Sequence, residues 1–301
     1  MIGGGFRNKP ISKAIELMGV EFPNKIGLAA GMDKNGDYID SLASLGFGFL
    51  EIGTVTPREQ YGNPKPRLFR LKEQRSLVNS MGFNNKGVDY AVSRIKQKKS
   101  KVILGVSIGK NFDTPNDLAE KDYLFCLERV FPISDYIALN ISSPNTKGLR
   151  ELGNKKYFDK LISVLKRRHK ALSKKFGQKP LIVKISPDLD LMSKENIAKT
   201  ILENEVDGII CSNTSNKHRF ANQGGVSGES LFNLSNKSLI DFRKYLGSSF
   251  PIIASGGVME EAHFQKKIEL GADLVQVYTG MIYKGPGLIN KLLRFSTESK
   301  S

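Results

Sequence analysis

Along the 301 residues, an apolar run ends in a small polar tip eight times over. The runs are Ile26–Ala30, Phe47–Gly53, Val102–Val106, Tyr136–Leu139, Leu181–Ile185, Gly208–Cys211, Pro251–Ala254 and Leu274–Val277. Their tips carry Gly, Ser, Thr, Asn and Pro, and most lead into helical patterns such as Lys155–Lys175, Lys194–Asn204 and Glu260–Leu270. Runs this short and apolar read as buried strands. Eight strand–helix units in about this length predict an α/β fold, a closed (β/α)8 barrel of the TIM type. A doubly wound open sheet has fewer strands and a glycine fingerprint after the first one, which is missing here. The Pro-, Gly-, Arg- and Asn-rich segment Pro57–Lys86 reads as an elaborated loop over the barrel mouth. The expected organisation is a short, polar, glycine-rich segment over 1–20, weakly helical around Ser12–Met18, then the barrel over 21–295 and a disordered tail over 296–301.

Hydroxyls and amides at the carboxyl ends of parallel strands are where such barrels carry chemistry. The densest tip is Asn140-Ile-Ser-Ser-Pro-Asn-Thr-Lys-Gly-Leu-Arg150. It presents Asn140, Ser142, Ser143, Asn145 and Thr146, is broken by Pro144 and turns again at Gly148. Taken alone, the peptide is equally well a plain turn. Ser255-Gly-Gly257 and Tyr278-Thr-Gly280 follow the last two strands, where barrels commonly hold phosphate, and Gly224–Gly228 reads as a third glycine turn. Lys34 and Lys184 stand at strand ends. A charge inside an apolar strand such as that of Lys184 needs an anionic partner, either an internal acid, such as an Asp, or a ligand. Asn79, Asn140, Asn145 and Asn213 offer donors and acceptors suited to a flat heterocycle with imide and carboxylate groups.

The net charge is +16, from 46 Lys and Arg against 30 Asp and Glu, which favours anionic partners. The basic runs Lys96–Lys101 and Lys166–Lys170 read as solvated helix faces, and no interleaved aromatics suggest nucleic-acid stacking. Two cysteines, Cys126 and Cys211, and three scattered histidines give neither a disulfide framework nor a metal site. No run approaches the ~20 apolar residues of a membrane span, and no secretory signal is visible.

Eight stretches, in order across about residues 16–290, resemble the dihydroorotate dehydrogenases, and within them the quinone-dependent class 2. They are Gly27–Gly36, Glu51–Pro57, Gly62–Arg70, Asn79–Asn85, Asn140–Arg150, Ser212–Thr214, Gly224–Gly228 and Val275–Gly280. The resemblance implies an FMN barrel that oxidises dihydroorotate to orotate in pyrimidine (UMP) synthesis and passes the electrons to quinone. Ser143 matches the catalytic base, where class 1 enzymes carry cysteine, and Thr146 and Phe83 match its proton relay. Ala30, Gly31, Lys34, Thr54, Ser107, Asn140, Lys184, Ser212, Gly228, Gly257, Tyr278 and Thr279 match cofactor positions. Lys34, Asn79, Ser80, Met81, Gly82, Phe83, Asn140, Asn145, Asn213 and Thr214 match orotate-contacting positions.

Two departures stand out. Ser107 replaces the family's asparagine beside the flavin. The family's amphipathic helical pair is largely absent from residues 1–20, whose three consecutive glycines, Arg7, Lys9 and Lys13 cannot build an apolar quinone channel. The expectation is a cytoplasmic protein with at most salt-sensitive peripheral contact at the cytoplasmic face of the inner membrane. Two rivals are weaker. A tRNA-dihydrouridine synthase would carry cysteine in place of the serine and add a helical domain. The other is an inactive FMN-binding interaction protein.

Overall fold

The computed structural model describes residues 14–145, 149–153 and 155–298. Its strands are β1 (Ile15–Leu17), β2 (Val20–Phe22), β3 (Ile26–Leu28), β4 (Phe49–Val55), β5 (Leu68–Leu71), β6 (Ser76–Asn79), β7 (Ile103–Ile108), β8 (Tyr136–Asn140), β9 (Leu181–Ile185), β10 (Gly208–Cys211), β11 (Gly225–Gly228), β12 (Ile252–Ser255) and β13 (Leu274–Val277). Its helices are α1 (Ile39–Ala43), α2 (Val88–Lys96), α3 (Ala119–Val130), α4 (Lys155–Phe176), α5 (Leu191–Glu203), α6 (Phe232–Leu246), α7 (Glu261–Glu269), α8 (Thr279–Lys284) and α9 (Gly287–Glu298). Eight strands close into one parallel barrel in the order β3-β4-β7-β8-β9-β10-β12-β13, and β13 pairs back onto β3. All eight apolar runs are barrel strands, and the fold is the (β/α)8 barrel.

Alternation along each strand divides the barrel into two compartments. Phe49, Tyr136, Ala138, Ile182, Ile210, Ile253 and Leu274 pack into one apolar cluster together with Phe22. Two residues further along, the same faces carry Asn140, Lys184, Ser212, Ser255 and Gln276, which line a cavity. The barrel is therefore greasy at its amino end and polar at its carboxyl end. Gly105 lies where any side chain would run into the Tyr136 ring, which leaves that ring room to fill the lower interior. Outside the strands, a larger apolar cluster packs them against the helices.

Five expectations need correction. The weakly helical reading of Ser12–Met18 fails over its described part: Ile15–Leu17 pairs antiparallel with Val20–Phe22. Met18 and Gly19, at φ 55° and 74°, form the two-residue turn that suits a tight hairpin. Leu17, Met18 and Val20 pack on the lower cluster, so this hairpin closes the bottom of the barrel and is not a separate segment. Residues 1–13, with Arg7, Lys9 and Lys13, lie outside the described residues. Next, Pro57–Lys86 is not only loop, because it contains the β5–β6 hairpin. Gly224–Gly228 is largely not a turn either, since β11 pairs antiparallel with β6 and completes a three-stranded sheet over the mouth. At the other terminus α9 runs on to Glu298, leaving only 299–301 of the expected tail outside the described residues. Finally, the basic run on α4 is not all solvated. The buried Lys166 donates to the Glu205 carbonyl at 2.5 Å, and the buried His169 bonds the Lys179 carbonyl at 2.6 Å. Among the described residues, no helix is long and apolar enough to cross a membrane.

Phe22 is fully buried and meets the Phe49 ring edge-on at 5.3 Å. Truncating it opens a hole where the hairpin seals the barrel. Phe22→Ala is expected to lower unfolding free energy by about 3–5 kcal/mol, the usual range for a buried aromatic. Urea titration followed by circular dichroism measures this. A loss under ~1 kcal/mol would show that the hairpin is not part of the cooperative core.

Candidate active site

The polar end of the barrel opens into a cleft of about 1080 Å³, its mouth included. The loop after β3 is folded by one buried carboxylate. Asp33 accepts backbone N–H groups from Gly36, Asp37 and Tyr38 at 2.8–2.9 Å, with Asn35 more distant at 3.4 Å. That turn holds Lys34, Ala30 and Gly31 at the cleft wall. Lys34 has no carboxylate in ion-pair range among the described residues. Burial, and then the Arg67 guanidinium, lower its pKa from 10.5 to about 8.

Across the floor, amides and hydroxyls form a continuous chain. Ser107 Oγ lies 2.9 Å from Thr54 Oγ1, and Asn140 Nδ2 donates to that Thr54 oxygen at 2.8 Å. Asn213 Nδ2 then donates to Asn140 Oδ1 and to Ser142 Oγ, each at 3.1 Å. At the rim, Asn145 Nδ2 donates to Asn79 Oδ1 at 3.0 Å, and Asn79 Nδ2 donates to the Gly225 carbonyl at 3.2 Å. Ser143 is buried beside them, and its Oγ accepts the Asn145 N–H at 3.3 Å. Phe83 lines the same cleft with φ 53°, a left-handed backbone that is rare for a bulky residue and costs energy.

One wall is built for close approach. Gly256, Gly257, Gly228, Tyr278 and Thr279 line it. Gly257 has φ 82°, and a Cβ there would collide with the start of α6 at Phe232. Thr279 begins α8, and its hydroxyl donates to Ser227 Oγ at 2.8 Å. Bare backbone beside a helix start suits a phosphate. On the floor stands Lys184, buried, with Glu51 Oε1 at 4.0 Å. Its partner is thus a Glu on β4, whereas the Asp suggested by sequence is not there. Burial lowers the lysine pKa, and Glu51 opposes that shift. Burial also raises the Tyr278 phenol. Gln276 Oε1 is buried without a hydrogen-bond partner among the described residues, in a side chain that lines the cleft. The wall, the cation and the orphaned acceptor together fit a flat polar ring carrying a phosphate.

Met81, Gly82, Ser212 and Thr214 also line the cleft. Ser107 does not: it stands behind Thr54 and reaches the cleft only through that hydroxyl. Ser80 faces away, in an outer hollow with Asn63 and Pro144, and its carbonyl accepts from Asn63 at 2.9 Å. Thr146, with Gly148, lies outside the described residues. Sequence reasoning missed Glu51, Gln276, Ser227 and the apolar lining residues Leu68, Leu77 and Leu231. Two-residue periodicity carried on from the apolar positions would have found Glu51 and Gln276.

The family model for dihydroorotate dehydrogenase matches residues 12–295. The chain belongs to the dihydroorotate dehydrogenase family. The chain is 48% identical over 293 residues to the dihydroorotate dehydrogenase (quinone) of Azoarcus sp. strain BH72, covering 95% of this chain and 87% of that protein. It is 46% identical over 287 residues to the enzyme of the same name from Psychrobacter arcticus, covering 93% and 83%. Among solved structures, the ligand-free dihydroorotate dehydrogenase of Eimeria tenella superposes with a TM-score of 0.89 at 36% identity, covering 98% of this chain and 89% of that one. The Eimeria enzyme in complex with ferulenol gives a TM-score of 0.88 at 36% identity, covering 93% and 82%. In this family member the Asp33 turn is what presents Lys34. Hydrogen bonds to a charged acceptor contribute about 1.5–3 kcal/mol each. In Asp33→Asn the amides of Gly36, Asp37 and Tyr38 should therefore exchange with deuterium at least tenfold faster, read by mass spectrometry or NMR. Unchanged protection would show that the turn holds itself.

Proposed function

We propose that this chain oxidises dihydroorotate to orotate, uses FMN as the hydride acceptor, and passes the electrons to a quinone, the acceptor in its bacterial relatives' names. The observation that carries the reading is convergence. Ser143, the Asn79–Asn145 pair, Asn213 and the cation Lys34 meet in one cleft, whose opposite wall is a glycine cradle with Lys184 at its floor.

Within this reading Lys34 holds the substrate carboxylate, because it is the cation at the cleft wall without a carboxylate of its own. Asn79, Asn145, Asn213 and Thr214 orient the ring by donating to its carbonyls and accepting from its N–H groups. Ser143 takes the proton from C5. A serine is a weak base, so its proton must move on, and Thr146 is the family's next member of that relay. Gly228, Gly257 and Thr279 would hold the phosphate, and Lys184, Thr54, Asn140 and Gln276 the ring. FMN, when bound, supplies a two-electron hydride acceptor. Phe83, Leu68 and Leu77 add apolar surface to the cleft lining near the reacting atoms.

Purified protein should be yellow, with one FMN per chain, and should bleach when dihydroorotate is added without oxygen. A colourless protein that takes up no added FMN overturns the proposal. Ser143→Ala should slow that bleaching by about 10²–10⁴-fold in stopped flow while orotate still binds. A rate within about twofold of wild type excludes the base role.

Lys34 adds a pH signature. Its pKa of about 8 in the free chain means that the carboxylate-binding cation is lost as pH rises through that value. If only the cation binds orotate, the dissociation constant should rise about fivefold between pH 8 and pH 9 by linkage. Titration of flavin absorbance with orotate measures it. Lys34→Met should bind weakly at both pH values; a parallel rise in that variant would assign the dependence to another group.

A further inference from the structure

Beneath the cleft, Glu51 is buried in the barrel interior, and neither the sequence motifs nor the proposed reaction gives it a task. Its Oε2 accepts the Tyr136 hydroxyl at 3.1 Å and Gln276 Nε2 at 2.8 Å. Both donors are neutral, and burial next to Glu51 keeps the phenol protonated. Oε1 has no hydrogen-bond partner among the described residues, and its nearest charged neighbour is the Lys184 ammonium at 4.0 Å. Lys184 in turn reaches no other carboxylate among the described residues within ion-pair range. Its neighbours in the barrel ladder are Asn140 on β8 and Ile210 on β10, neither of which can carry charge. The charged group that acts on it is Glu51 on β4, and the other titratable side chains lining the same cleft are Lys34 and Tyr278. A lone ammonium at this depth would shed its proton, because burial favours the neutral amine.

We propose that Glu51 is a positioning residue that acts through Lys184, holding it as a cation at the cleft floor where negative charge arrives on two-electron reduction. The inference rests on the FMN reading above. Two effects of removing the carboxylate have opposite signs, which makes the idea testable. If Lys184 kept its charge, losing a nearby anion would stabilise the reduced flavin and raise its potential. If Glu51 is what keeps the charge, Glu51→Gln leaves a neutral lysine, and the reduced flavin loses its counter-charge.

The experiment is spectroelectrochemical titration of bound FMN at neutral pH in wild type and Glu51→Gln. The glutamine is isosteric and can still pair with Tyr136 and Gln276. The expected result is at least a tenfold weakening of reduced relative to oxidised flavin binding, a fall of about 30 mV for a two-electron couple. An unchanged or raised potential overturns the proposal. The same substitution in a Lys184→Met background should bring no further fall. A second tenfold loss there would mean that Glu51 acts independently of Lys184, and would also overturn it. Should the glutamine variant not fold, Glu51→Asp keeps the charge but withdraws it by one methylene. It should give a smaller fall, and no fall is the contrary result. Wild type that takes up no FMN refutes the underlying reading instead, so the two failures are distinguishable.

Discussion

In a closed barrel of eight parallel strands, alternate side chains can point only into the interior or out against the helices. Whatever points inward must share a narrow space with inward residues from seven other strands. This chain meets that constraint with a gradient. Phe49, Tyr136, Ile182, Ile210, Ile253 and Leu274 fill the lower interior, and Phe22 of the terminal hairpin seals it. The next inward positions are polar. The site can be wet and charged because the layer below it is dry, packed and closed off from water on the far side. Dispersion contacts among these rings set the positions of the strand ends on which the polar groups stand.

Electrostatics then divides the cleft. The two lysines are treated differently by their surroundings. Lys184 sits on a strand with a carboxylate behind it, so its charge is balanced before any ligand arrives. Lys34 sits on a turn, with a guanidinium as its nearest charged influence, so it remains in want of an anion. The cleft thus presents an unbalanced cation at its wall and a balanced one at its floor. Neutral amides fill the space between, and their mutual hydrogen bonds orient them against one another.

Much of this could be read from residue order. The count of eight apolar runs with polar tips pointed to a barrel, and motif resemblance named most of the groups that line the cleft. What escaped has physical causes. The hairpin at Ile15–Phe22 is too short for periodicity to betray, and only its fit beneath the barrel makes it a pair of strands. β11 is glycine, valine, serine and glycine, a string with little strand propensity beyond its one valine, and it pairs along the edge of β6. Glu51 looked like part of a motif, and its meaning depends on Lys184, which lies 133 residues away in sequence and 4.0 Å away in space. Ser107 matched a cofactor position, but its side chain is too short to pass Thr54.

The three-stranded sheet over the mouth joins segments that leave the barrel at distant points of its circumference. β5 and β6 come from the excursion after β4, and β11 from the one after β10. Asn63 ties the same rim to the loop after β8 by donating to the Asn145 carbonyl at 3.0 Å. The rim is therefore one mechanical part assembled from three pieces of chain. Substitutions that reshape one piece will be transmitted to the others through the ladder. Pocket evolution in this protein is accordingly a matter of concerted change: a new ligand shape has to be accommodated by compensating replacements in all three segments, and loop-by-loop grafting from a relative works against the architecture.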